Sequence, residues 1–292
     1  MIELLNGSLA KSTKNSYKRA YVLLKQFYNN EGRELLFPIK SRDVAKFITF
    51  LDKKGMAKST IVSYTSAIAY YHKIMEFHDP TSSFIVKKCL LGLKGKGKIK
   101  REPINLSNLE KLMKTSQKCF TKPESYAFKA ICSLLFFGLF RISELLGDGR
   151  LNIRGLTTKD LKSKRKGMEI KLNSYKHSKG ENALVKISKQ NNKNICPIYN
   201  LEKYLDLRGN GEGNLFMGND KPLSKVTFSK MLKTSSKAAG FKKTFSSHCF
   251  RIGAATYASK IGRTGPQIKQ MGRWKSGAYN RYLKDYEPLK VE

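Results

Sequence analysis

The side chains with the clearest chemical potential are two arginines, a histidine, a tryptophan and a late tyrosine, carried in four short strings. In Phe140-Arg141-Ile142-Ser143-Glu144-Leu145, an arginine interrupts an apolar helical run and a glutamate follows three residues later. At that spacing Glu144 can hold the helix end or orient Arg141; a surface ion pair is the plainer alternative. In Ser247-His248-Cys249-Phe250-Arg251, the histidine and arginine share a helix face. Together they can grip one phosphate, with two parallel donors from Arg251 and a third contact or a proton relay from His248. Met271-Gly272-Arg273-Trp274-Lys275-Ser276 contains the single tryptophan, whose indole N–H can donate while its rings pack. Ala278-Tyr279-Asn280-Arg281-Tyr282-Leu283 sets a tyrosine on a short basic helix, where its hydroxyl can enter a site. Taken singly, each string has an ordinary structural reading: a solvated ion pair, a coincidental H-x-x-R, a core tryptophan, a packing tyrosine.

The elements that position these residues fall into two groups. Before residue 92 the pattern is all-helical. Tyr17, Tyr21, Leu24 and Phe27 recur at helical spacing, as do Val44, Phe47, Ile48 and Leu51, then Ile61, Tyr64, Ile68 and Tyr71, with a fourth helix expected over 84–91. Two of these helices open alike: Lys11-Ser12-Thr13 precedes Ser16-Tyr17, and Lys58-Ser59-Thr60 precedes Ser63-Tyr64. Ser or Thr there can cap the helix, and a capped start beside a lysine can receive a phosphate. Gly and Lys alternate through Leu91-Gly92-Leu93-Lys94-Gly95-Lys96-Gly97-Lys98, and Pro103 closes the stretch, which reads as a basic linker. The spacing then predicts one long apolar helix over 125–146. Two strands over 168–172 and 183–187 follow, joined by a Lys-rich turn, then helices over 197–207, 225–239, 248–261, 265–271 and 278–284. The expected fold is mainly α with a small β-sheet: a helical domain over 1–92, a basic linker over 93–103 and an α+β domain over 104–292.

Charge narrows the partner. The chain carries 57 Lys and Arg against 22 Asp and Glu, a formal +35 over 292 residues. Such an excess opposes compaction and favours a polyanion, nucleic acid first. About +12 falls in the first 103 residues and about +23 in the rest, so both parts are expected to touch that partner. The five cysteines lack metal-ligand spacing, so neither structural zinc nor another metal is expected, and a reducing, intracellular compartment is. From the opening residues and the length of the apolar runs, neither a secretory signal nor a membrane span is expected.

In order, the four strings resemble the tyrosine recombinase superfamily, the phage-integrase-like enzymes. The resemblance rests on Phe140-Arg141-Ile142-Ser143-Glu144-Leu145, then Lys176, His248 with Arg251, Trp274 and Tyr282. It spans nearly the whole chain, because that family also places a helical, SAM-like core-binding domain before a basic linker and the catalytic domain. Gly272-Arg273-Trp274-Lys275-Ser276 and Tyr175-Lys176-His177-Ser178-Lys179 are most similar to Crypton and DIRS-like recombinases of eukaryotic mobile elements and their viral relatives. The resemblance implies a site-specific recombinase or integrase acting on double-stranded DNA through a 3′-phosphotyrosine intermediate, without cofactor. Tyr282 is then the nucleophile, Arg141 and Arg251 the phosphate clamp, and His248 a proton-transfer or phosphate-bonding group. Lys176 is the general acid, and Trp274 a phosphate donor or a wedge for the tyrosine helix. Lys179 competes for the lysine role, and Tyr279 and Tyr286 for the nucleophile. A homotetramer on paired DNA sites is inherited from the family. So is a nuclear location in a eukaryotic host, where Lys162-Ser163-Lys164-Arg165-Lys166 reads as an import signal or as a basic loop on DNA. The competing functions are a type IB topoisomerase and a recombinase-derived DNA-binding protein that has lost catalysis.

Overall fold

The computed structural model describes residues 4, 7–94, 102–149, 153–173, 175, 181–209, 211–218 and 221–280. The chain divides into two compact units, Met1–Lys100 and Arg101–Glu292.

The described part of the first unit includes the helices α1 (Lys11–Asn30), α2 (Ser41–Lys53), α3 (Lys58–Ile74) and α4 (Phe84–Gly92). Their apolar faces bury Leu24, Phe27, Val44, Phe47, Ile48, Leu51, Ile61, Ile68 and Val86 in one core, which provides most of what makes such short helices stable. The repeated Lys-Ser-Thr strings are not caps. Ala10 and Ala57 occupy the cap positions without side-chain hydrogen bonds, and each lysine is the first helical residue. Lys58 donates instead to the carbonyls of Leu91 and Leu93, at 3.1 and 3.0 Å, tying the start of α3 to the end of α4. The repeat does have a structural expression: Ser16 and Ser63, equivalent in the two strings, meet Oγ to Oγ at 3.2 Å.

The second unit is built around α6 (Lys122–Phe137), in which Phe128, Ala130, Ile131, Cys132, Leu134 and Leu135 are fully buried. A helix apolar on nearly every face must be central, and α6 packs on α5 (Leu106–Cys119), α8 (Pro197–Arg208) and α10 (Ser247–Lys260). The Thr121 backbone N–H and hydroxyl both donate to Glu124 Oε2, at 3.1 and 2.8 Å, and fix the start of α6. Helix α5 is not among the elements expected above. Its signal is Leu109, Leu112, Met113 and Ser116 on one buried face behind the cap Asn105.

Three antiparallel strands, β1 (Leu161–Lys164), β2 (Gly167–Leu172) and β3 (Ala183–Ser188), form a sheet in that order, with Leu161 opposite Ile170 and Leu172 opposite Ala183. Met168, Ile170, Leu172, Val185 and Ile187 line its buried face. The basic string 162–166 is therefore not a loop throughout: its first three residues belong to an edge strand, where exposed lysines discourage pairing with another chain. Further described elements are α7 (Ile142–Leu146), a two-stranded ribbon of β4 (Met217–Gly218) and β5 (Lys221–Pro222), α9 (Lys225–Ala238), α11 (Gly265–Met271) and 3₁₀ turns over Thr158–Asp160 and Gly277–Tyr279. The second of these turns stands at the start of the helix expected over 278–284; residues 281–284 lie outside the described part. No helix of the described residues is long and apolar enough to cross a membrane.

Candidate active site

The expected long helix over 125–146 is broken, and the break makes the site. Helix α6 ends at Phe137 with Gly138 as its C-cap. Leu139 then adopts φ +46°, a left-handed conformation that costs a non-glycine residue roughly 1–2 kcal/mol. Its carbonyl accepts from two guanidiniums: the Nη1 of Arg251, and the Nη2 of Arg273 at 3.2 Å. Arg141 is extended, at the N-cap of α7, not within a helix. Its backbone N–H donates to Glu144 Oε2 at 2.9 Å and its Nη1 to Oε1 at 2.8 Å.

This is not a surface ion pair. Glu144 is 0% exposed and Arg141 23%. Burying a carboxylate is costly unless charge and hydrogen bonds compensate. Burial pushes the Glu144 carboxyl upward, but the charges of Arg273, Arg141 and Arg251, with the Arg141 backbone N–H, together outweigh it. The group lies below the usual carboxylate range.

Helix α10 supplies the second arginine. Arg251 is 2% exposed and donates to the carbonyls of Leu139 and Gly272, so its fork joins the α6–α7 break to the end of α11. Close approach sets this helix in place: a Cβ on Gly253 would lie 1.9 Å from the Ile104 carbonyl oxygen, and the Ile104 N–H donates to the Cys249 carbonyl at 3.2 Å. His248 lies in the first turn of the same helix.

Helix α11 ends in a tight turn. The Arg273 N–H donates to Gln270 O and the Trp274 N–H to Lys269 O, both at 3.0 Å, and Arg273 takes φ +54°. Gly272 is required here, since a Cβ would fall 1.8 Å from the Trp274 ring. Trp274 lays that ring against Arg251, with the guanidinium carbon 4.2 Å from the ring centroid, a stacking that holds a cation and shields it from water. Tyr279 packs beside Trp274 with ring centroids 6.0 Å apart, in the small cluster of Ala255, Ala258 and Ile268. Its ring forms part of the wall.

Arg141, Arg251 and Trp274 thus come together, with His248 on the helix that carries Arg251. Lys176, Lys179, Tyr282 and Tyr286 lie outside the described residues; the two lysines fall in the stretch 173–182 between β2 and β3. Arg273 was not among the candidates. It stands in the quoted Gly272-Arg273-Trp274 string, and a glycine that admits a packed ring fixes the residue beside it, but nothing in that spacing marks a guanidinium turned inward. Next to the cluster, a cavity of about 270 Å³ is lined by Ile142, Lys225, Ser229, Lys233, Ser246 and Ser247. Phe228 and Phe245 also line it, so the cleft mixes an apolar floor with hydroxyls and two lysines that can meet a phosphate.

Three guanidinium charges facing one carboxylate form a preorganised site for an anion whose charge grows during reaction. Comparison with known structures reveals the same fold. The chain matches the Tn1549 transposon integrase in complex with circular intermediate DNA at 17% identity and TM-score 0.70, covering 98% of this chain and 92% of that one. It matches a lambda integrase dimer bound to a core site at 13% identity and TM-score 0.70, covering 97% and 76%. The XerH site-specific recombinase in a post-cleavage complex with its DNA substrate matches at 16% identity and TM-score 0.67, covering 93% and 76%. No individual curated protein matches the sequence. The model of the phage integrase family matches residues 103–287, well over half of the chain. The chain belongs to the phage integrase family, the tyrosine recombinases.

Proposed function

We propose that this protein is a site-specific recombinase or integrase that cleaves and rejoins double-stranded DNA through a 3′-phosphotyrosine intermediate. The observation that carries the reading is the gathering of Arg141, Arg251 and Arg273 around one buried glutamate. Such a cluster is poised for a phosphate whose nonbridging oxygens gain charge in the transition state.

In this reading Tyr282 attacks the scissile phosphorus and displaces the 5′-oxygen of the next nucleotide. The phosphodiester bond becomes a phosphotyrosyl bond of similar energy, so the reverse attack by a 5′-hydroxyl reseals the strand without ATP. Arg141 and Arg251 clamp the nonbridging oxygens. His248 takes the tyrosyl proton or bonds the phosphate, and Lys176, or Lys179 close to it in sequence, protonates the leaving oxygen. Trp274 acts through Arg251, whose guanidinium it covers. Tyr279 is the weaker choice of nucleophile because its ring is packed against Trp274.

Residues 1–92 serve as the core-binding domain, 93–103 as the basic linker and 104–292 as the catalytic domain. The charge carried by both parts supports a grip on the duplex from each. The working assembly is a homotetramer on two paired sites, and the protein works inside the cell, in the nucleus of a eukaryotic host. The Gly272-Arg273-Trp274-Lys275-Ser276 string supports the Crypton and DIRS-like group as its nearest kin.

The test is a nicked suicide duplex, selected from random sequence by covalent trapping. The wild-type protein is expected to remain attached to the 3′ end of the cut strand. No adduct would sink the enzyme reading and leave a DNA-binding protein; relaxation of supercoiled plasmid without a defined site would favour a topoisomerase.

A further inference from the structure

The family's reaction needs two clamp arginines, yet a third is built into the same cluster. Arg273 is 10% exposed, and both of its terminal nitrogens are directed at protein groups. Nη2 donates to Glu144 Oε2 at 2.8 Å and to Leu139 O at 3.2 Å; Nη1 donates to Gly138 O at 3.3 Å and Met271 O at 3.1 Å. Its guanidinium also lies 5.1 Å from the Phe140 ring centroid. One of those acceptors is the carboxylate that orients Arg141, and another is the carbonyl that receives Arg251. The residue therefore joins the supports of the two clamp arginines.

We propose that Arg273 is a positioning residue for strand cleavage: by holding Glu144 and the Leu139 carbonyl together, it locks Arg141 and Arg251 into one rigid phosphate clamp. This rests on the recombinase reading above. Arg273 is assigned a supporting role because its Nη groups bridge Glu144 and the carbonyls of Gly138, Leu139 and Met271, while its Nε is buried without an acceptor. Its left-handed backbone at φ +54° fits this role, since it aims the side chain back toward the α6–α7 break. A cluster with one bridging member should fail as a unit when that member is removed.

Glu144 provides a second readout. The charged groups facing it are Arg141 at the start of α7, Arg251 on α10 and Arg273 after α11. Without Arg273 the effect of burial is less opposed, and the carboxyl takes up its proton at higher pH. A protonated Glu144 no longer holds Arg141 as an ion pair. The acid limb of the cleavage profile should therefore move upward in the variant. His248, on the helix that carries Arg251, is the other titratable group of the site, and a shift that persists when Glu144 is also replaced by Gln would belong to it.

The experiment uses the full chain and a suicide duplex bearing the sequence trapped by the wild type. Arg273→Ala is expected to slow single-turnover adduct formation on the order of 10²-fold, with affinity for the intact duplex within about twofold of wild type. Arg273→Lys, which keeps a cation, should regain about tenfold of that loss and return the acid limb toward wild type; Arg273→Gln should do neither. An unchanged rate in Arg273→Ala, a loss matched by the loss in affinity, or equal recovery by Lys and Gln would overturn the proposal. If the alanine variant does not fold, the Lys and Gln variants decide. Absence of adduct from the wild type defeats the recombinase reading and this inference with it, whereas a reacting wild type matched in rate by Arg273→Ala defeats this inference alone.

Discussion

Each unit of this protein buries a polar side chain at its centre, and the two are buried in opposite ways. In the first unit His72 is fully enclosed. Its Nε2 accepts from the Ile39 N–H at 2.9 Å, so its Nδ1 carries the proton and donates to the Ile68 carbonyl at 2.8 Å. Both ring nitrogens are spent on backbone, and the result is neutral. In the second unit Glu144 is equally enclosed, but three guanidiniums gather round it and positive charge is left over. Burial of a polar group is thus no sign of function by itself. What separates the two is whether the cluster closes on itself or stays poised for a further anion.

That contrast can be broken by substitution. The largest effect on chemistry is expected from Arg251→Ala, which should slow adduct formation on the order of 10²- to 10³-fold, the cost of losing one preorganised donor to developing charge. Arg251→Lys should remain impaired, because a point charge cannot span the Leu139 and Gly272 carbonyls as the planar fork does. Near-normal single-turnover rates in the lysine variant would count against the clamp.

Trp274 comes next. Removing the ring that covers Arg251 forfeits a cation–π contact of about 1–2 kcal/mol, so Trp274→Ala should cut the rate roughly tenfold. Trp274→Phe keeps a ring there and should retain most of the activity. If both variants are equally impaired, the indole N–H matters more than the stacking, and Trp274 bonds the phosphate directly.

His72→Ala provides the other side of the contrast. It strands the Ile39 N–H and opens a cavity, so thermal or urea unfolding of the first unit should register a loss of about 2–4 kcal/mol. Cleavage per folded molecule should not change. A defect in cleavage without a defect in stability would make His72 more than a structural group.

The smallest effect is a matter of pH. Glu144 and Asp160 both lie below their ordinary values. For each, burial pushes the carboxyl up and is outweighed, for Glu144 by the arginines and for Asp160 by the Thr157 N–H and hydroxyl and by Arg154. Depressed folded values mean that the stabilisation is complete above the unfolded carboxylate pKa and is lost as pH falls through the lower folded values. Melting temperature of the second unit should therefore be flat near neutrality and drop on the acid side. Glu144→Gln should flatten that drop and Lys203→Ala, at an exposed ion pair, should not.

Much of this was legible in the sequence, unevenly. Val44, Phe47, Ile48 and Leu51 declare α2 because apolar periodicity and burial coincide on an exposed helix. Strands β2 and β3 were readable from alternating apolar residues. The apolar run over 125–146 concealed the break at Gly138 and Leu139, because hydrophobicity carries no information about a left-handed residue. Yet that break turns the Leu139 carbonyl toward two arginines. Strand β1 was hidden for the opposite reason: its lysines face outward from an edge and show no apolar alternation. At the site, Arg141, His248, Arg251 and Trp274 were named from spacing and resemblance. Arg273 was not, since only the folded turn after α11 reveals which way its side chain runs.

The central claim is that Tyr282 becomes covalently joined to DNA in a site assembled by the arginine cluster. The most direct measurement is mass spectrometry of peptides from the wild-type adduct on the suicide duplex, after nuclease digestion. A nucleotide phosphate attached to Tyr282, with none in Tyr282→Phe, is the predicted result. A nucleotide on Tyr279 or Tyr286, or an adduct that persists in Tyr282→Phe, would contradict it.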